Sequence, residues 1–246
     1  MNIRKTNFLY LILFSLFLVS GFCGLLYQIV WLRLAFASFG IITPVLSVVI
    51  SVFMLGLAIG SWAGGRFMDR LSGSDGILSI VYYALAEFMI GVGGLVVANL
   101  FGAGRDLLLS AGSFDSFKYL LFSAVIIGAS ILPWCICMGA TTPLMMKFIK
   151  ELNRDDTRGF SYLYLANVIG AMCGTIVTAG FLIELLGFRH TLLVAVSFNF
   201  IIATVGLILW YKYRNSSTAV NVTLKETMRK GADAFSGSSP LVFILF

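Results

Sequence analysis

Long apolar runs, separated by short polar clusters, dominate the chain. They cover residues 7–36, 41–64, 77–102, 119–146, 162–188 and 191–211. A helix needs about 20 apolar residues to cross the hydrocarbon core. In lipid each backbone N–H and C=O must find an internal partner, so such runs become helices. The pattern predicts an all-α fold, a polytopic membrane bundle of six transmembrane helices over residues 1–211. A polar stretch follows at 212–238, and 239–246 begins a further apolar segment, read as a truncated seventh. Arg4 and Lys5 precede the first run in the manner of a signal peptide. That run continues past Val19-Ser20-Gly21, and its length predicts a retained helix instead.

Composition narrows the solvent to lipid. The chain is 59% hydrophobic and 11% charged, with mean hydropathy +0.98. Soluble domains carry about 25% charged residues, and a chain of this length has too little interior to hide so much apolar surface from water. The net charge of +6 does not point to nucleic acid, because the basic residues sit in loops and tails between apolar runs. With the N-terminus inside, 13 of the 17 lysines and arginines fall on the inner side. The outer four are Arg33, Arg105, Lys118 and Arg189. The positive-inside rule then predicts a plasma (inner) membrane protein with both the N-terminal and the 212–238 segments cytoplasmic.

Small residues predict how the helices meet. Gly56, Gly60 and Gly64 recur every fourth position on the second helix, as do Gly170 and Gly174 on the fifth. This spacing lets two backbones approach closely in lipid. The second and fifth helices hold matching places in two sets of three, which suggests the inverted repeats of transporters.

Several residues carry candidate chemistry. Glu87 lies ten residues into the third run, about 15 Å deep at 1.5 Å per residue, near the midplane. An acid there is costly and needs a cavity or a partner. It reads either as a site for a cation or proton, or as a protonated carboxyl bonded to a neighbouring helix. Gln28 shares one helical face with Gly24, Tyr27 and Trp31, a strip that lines a substrate path or packs between helices. Asn167 and Asn199 carry the same two readings; packing is favoured, and Asn167 is kept with Glu87, Gln28 and Trp31 as substrate-binding candidates. Glu184 is placed to pair with Arg33 or Arg189 at the outer face, beside His190. Pro133 and Pro143 should kink the fourth helix and free carbonyls. Gly91-Val92-Gly93-Gly94 has no preceding strand and is not a nucleotide-binding turn.

Cys23, Cys135, Cys137 and Cys173 all lie in apolar runs and behave as small hydrophobes. No metal, no cofactor and no catalytic residue is expected, because no nucleophile–base pair or ligand cluster is present.

Gly65-Arg66-Phe67-Met68-Asp69-Arg70, followed by Gly73, resembles the loop motif of major facilitators. The reading predicts a tight turn in which Asp69 accepts bonds from a helix end while Arg66 and Arg70 hold the inner face. Three longer stretches add to it: residues 20–33, 53–61 and 138–144, with Tyr164-Leu165-Ala166-Asn167-Val168-Ile169-Gly170-Ala171. Over residues 15–211 the chain resembles the membrane part of fused major facilitator/spermidine synthase-like proteins. Members of that family usually carry an acid where Gln28 stands. The resemblance implies one half of a major facilitator fold, joined in the family to an aminopropyltransferase-like domain. That soluble domain is expected to be absent here, so this chain is read as non-enzymatic, and as a truncated product, a fragment or half of a split protein. It implies movement or channelling of a small cationic metabolite such as a polyamine, or else a membrane anchor for a synthase-like domain. The expected partners are the lipid bilayer together with a second copy, the missing second half or a synthase-like domain, and no nucleic acid.

Overall fold

A computed structural model describes the backbone of residues 3–70, 78–110, 115–152 and 157–236, and the side chains of 9–70, 78–110, 115–150 and 161–214. Within these residues every regular element is helical. The elements are α1 (Ile3–Phe39), α2 (Thr43–Arg70), α3 (Ser79–Ser110), α4 (Ser116–Leu152), α5 (Thr157–Val177), a π-helical turn (Thr178–Leu182) and α6 (Ile183–Ser236). Five helical stretches are long and apolar enough to cross a membrane, the last running from Ser161 to Arg214.

The helices outrun the apolar segments that announced them. Backbone hydrogen bonding continues past the point where hydrocarbon ends, so hydropathy marks the depth of the lipid and not the helix end. One correction follows. Gly65–Arg70 forms the last turns of α2 and not a tight turn; Gly73 lies outside the described residues. Residues 212–236 extend α6 as helix, while the apolar segment at 239–246 also lies outside the described residues. Pro133 and Pro143 both sit inside α4, which stays helical across them.

Two glycines turn the chain where a side chain would strain it. Gly40, at φ 104°, closes the α1–α2 connection, with Ile42 N–H donating to the Gly40 carbonyl. Gly187, at φ 71° and ψ 172°, breaks α6 near its start. That conformation belongs almost only to glycine. Thr191 Oγ1 donates to the carbonyls of Leu182 at 3.0 Å and Gly187 at 2.7 Å. A straight helix would hold Thr191 and Leu182 about 13 Å apart, so the chain folds back here.

Packing fixes the directions of the helices. Phe17 meets Tyr83 and Phe39 meets Phe101, so α1 and α3 run parallel. Gly170 and Gly174 press on the backbone of Leu18 and Phe22, making α5 parallel to α1. Gly91 packs on Phe200, Gly94 on Val196 and Gly206 on Ala84, so α6 beyond Gly187 runs antiparallel to α3. The stripe Gly56, Gly60 and Gly64 lies on α4 at Cys135, Ile136 and Ala140. At Gly56 an added Cβ would collide with Cys135 Cβ and at Gly60 with the Ile136 carbonyl, while at Gly64 it would meet Pro143 and Ala140 tightly.

Two apolar clusters fill the two ends. One gathers Leu9, Met68, Ile80, Ile149, Leu163 and Leu209. The other gathers Phe39, Val45, Leu108, Ile127 and Leu192. The outer surface keeps large apolar side chains such as Trp62, Leu107, Phe117, Ile176 and Leu185 exposed, as lipid-facing helices do.

Candidate functional site

Between the two apolar clusters lies the polar centre of the bundle. Glu87 on α3 is fully buried. Ser20 Oγ on α1 donates to its Oε1 at 2.6 Å. Asn199 Nδ2 on α6 donates to its Oε2 at 2.6 Å. Tyr27 OH donates in turn to Asn199 Oδ1 at 3.0 Å. Three helices are thus tied through one carboxyl, and among the described residues no cation partners it. Tyr83 lies against the same carboxyl, but its buried hydroxyl makes no hydrogen bond of good geometry.

Ser20 and Asn199 also line a cavity of about 310 Å³. Every helix contributes to its wall: Gly24 of α1, Ser61 of α2, Ile90 of α3, Thr141 and Thr142 of α4, Tyr164 and Asn167 of α5 and Asn199 of α6. The wall is apolar by area, with hydroxyls and amides at a few points. Gly139 lines it too, and Pro143, one turn on, lacks the N–H that would bond the Gly139 carbonyl. Glu87 itself stands behind the wall, one hydrogen bond from the space through Ser20 and through Asn199.

Of the four substrate-binding candidates, the structure places Asn167 in the cavity wall and Glu87 just behind it. Gln28 is partly exposed and lies outside the wall. Trp31 is buried away from it and stacks on Tyr27, with ring centroids 5.1 Å apart. The strip Gly24–Tyr27–Gln28–Trp31 therefore divides, since a helical face wider than one residue meets more than one neighbour. Sequence reasoning left Asn199 between a substrate path and interhelical packing and favoured packing; here it bonds across helices to Glu87 and Tyr27 and also lines the cavity. Its signal was its kind, an amide within an apolar run. Ser20 carried no such signal, because serine is common at helix–helix contacts.

Beside the Gly187 break His190 Nδ1 lies 3.1 Å from the Leu186 carbonyl. Among the described residues the ion pairs are Arg105–Asp106 and Lys118–Asp115, so Glu184 is paired with neither Arg33 nor Arg189. No group of three or more His, Cys, Asp or Glu side chains among the described residues could hold a metal.

The chain is 27% identical over 190 residues to polyamine aminopropyltransferase 2 of Streptomyces coelicolor. The match covers 72% of this chain and 30% of that protein, so the chain spans under a third of its relative's length. The similarity is thus to part of a polyamine aminopropyltransferase. No family model matches. No solved structure matches.

Proposed function

We propose that this chain is a six-span, major facilitator-like membrane bundle that binds and passes a small cationic metabolite, with a polyamine as the class of cargo. The 54-residue run from Ser161 to Arg214 then counts as two spans meeting at Gly187. Both polar ends lie on the cytoplasmic side of the plasma membrane, as the basic excess on that side favours. The observation that carries the reading is the buried carboxyl of Glu87 behind a cavity walled by every helix. Moving an ammonium group into low dielectric is costly, and a carboxylate nearby offsets part of that cost. At ~6 Å with an effective dielectric of ~20 the attraction is about 3 kcal/mol. Ser20 and Asn199 would relay that charge to the wall while keeping the carboxyl out of direct contact. Proteoliposomes carrying Glu87→Gln should lose uptake of a labelled polyamine by tenfold or more relative to the unaltered chain. Uptake at the unaltered rate would discard the role of Glu87.

A second reading is a non-catalytic anchor for an aminopropyltransferase-like domain. It is favoured by the name of the relative and by the portion of that protein the match leaves uncovered. Under it the chain still performs no group transfer itself, and Glu87 serves as a structural hub. A tagged chain should then capture an aminopropyltransferase-like polypeptide from native membranes, and Glu87→Gln should leave that capture intact.

A further inference from the structure

A second hollow lies on the outside of the bundle, where α2, α3 and α4 leave a groove of about 570 Å³. Its walls are apolar: Leu85 and Met89 on α3, Ile136 and Leu144 on α4. One edge is different. Trp62, Arg66 and Arg70 line it from α2, at i, i+4 and i+8, so they form a single stripe along the helix. The Arg66 guanidinium lies 5.9 Å from the centroid of the Trp62 ring, and Trp62 is 66% exposed. No acidic side chain lines the groove. Among the described residues neither arginine joins an ion pair. Tyr82 stands opposite, its ring edge-on to Phe67 at 5.1 Å.

We propose that this groove binds an anionic phospholipid, with the phosphate clasped by Arg66 and Arg70 and an acyl chain laid between α3 and α4. Three features of the groove argue for that occupant over any other. Two arginines one turn apart on α2 offer their guanidiniums to a single phosphate, which arginine engages with two parallel N–H bonds. They repel the cationic cargo assigned to the central cavity, so the groove is no second entrance for it. Trp62 and Tyr82 mark the headgroup level, where amphipathic rings collect, and the apolar walls continue from there in the direction a tail would take. Basic hollows between membrane helices favour acidic headgroups in this way. The exclusion of the cargo rests on the proposed function; the other two features stand on α2, α3 and α4 alone and do not depend on the role of Glu87.

The test uses the full chain in detergent with added phosphatidylglycerol or phosphatidylcholine of identical acyl chains. Native mass spectrometry should show phosphatidylglycerol retained at least fivefold over phosphatidylcholine, and thermal unfolding should shift upward with phosphatidylglycerol alone. The double variant R66Q/R70Q should erase both differences, whereas Arg189→Gln at the opposite face should leave them. Equal retention of the two lipids, or a preference that survives R66Q/R70Q, overturns the proposal. So does a groove filled by a second copy, seen as a dimer indifferent to the lipid added. A phosphatidylglycerol with a photoreactive group on its acyl chain needs no substitution at all. It should label residues 82–89 and 136–144, and labelling confined to other segments overturns the proposal even if R66Q/R70Q fails to fold.

Discussion

Replacing Asn199 by alanine isolates the hub of the buried network. The side chain donates to Glu87 Oε2 and accepts from Tyr27 OH, so its loss leaves that carboxyl oxygen and the Tyr27 hydroxyl without these partners, while Ser20 still bonds Oε1. An orphaned polar partner in a protein interior costs about 1–3 kcal/mol. Interhelical hydrogen bonds in membrane proteins return less, about 0.6 kcal/mol on average and at most about 1.7. Asn199 also faces the central cavity, where water can take over part of the lost bonding, which favours the lower scale. Two bonds on that scale predict a loss of about 1–3 kcal/mol for Asn199→Ala. Ser20→Ala removes one bond and should cost about half as much, and Gln28→Ala, outside the network, under about 0.5 kcal/mol on the usual scale for surface changes. Reversible unfolding in mixed micelles reads these differences directly. The sharper measurement is the double-mutant cycle of Asn199→Ala with Glu87→Leu. Residues in one hydrogen-bond network couple by about 0.5–3 kcal/mol. If the two changes simply add, or if Gln28→Ala costs as much as Asn199→Ala, the network does not hold the three helices together.

Further outcomes follow from the backbone. Gly170→Ala drives a Cβ into the Leu18 carbonyl, a backbone atom that cannot rotate away, and should cost about 1–3 kcal/mol as overpacking does. Gly102→Ala meets nothing within 4 Å and should be neutral or stabilising by up to about 1 kcal/mol, because alanine favours a helix; the same unfolding assay compares the pair. Gly187→Ala also meets nothing within 4 Å, yet should lose about 1–3 kcal/mol, since the strain lies in its φ and ψ and not in its surroundings. Gly180→Ala, with equal free space and helical backbone, is the matched control, and equal midpoints for the two variants would remove the backbone argument.

The hydrophobic pattern alone determined that the fold is helical and suited to lipid, because hydrocarbon leaves the backbone no other partner than itself. It also located Glu87 as an anomaly and the glycine stripes as contact faces. Depth and spacing along a helix follow from a rise of 1.5 Å and a period of 3.6 residues, and both are properties of the chain by itself. Which face meets which neighbour is not such a property. Gly56, Gly60 and Gly64 announced a close approach, but only the packed bundle decided that α4 lies there and that α1 takes Gly170 and Gly174. Likewise Ser20, Glu87 and Asn199 are separated by 67 and 112 positions, and nothing local relates them. Gln28 and Tyr27 adjoin in sequence, yet one stays at the margin while the other reaches the network, because a turn of 100° per residue sends neighbours to different helices. The tertiary structure chose among contacts that the sequence left equal, and the polar centre exists only where that choice brings three helices within hydrogen-bond reach of one carboxyl.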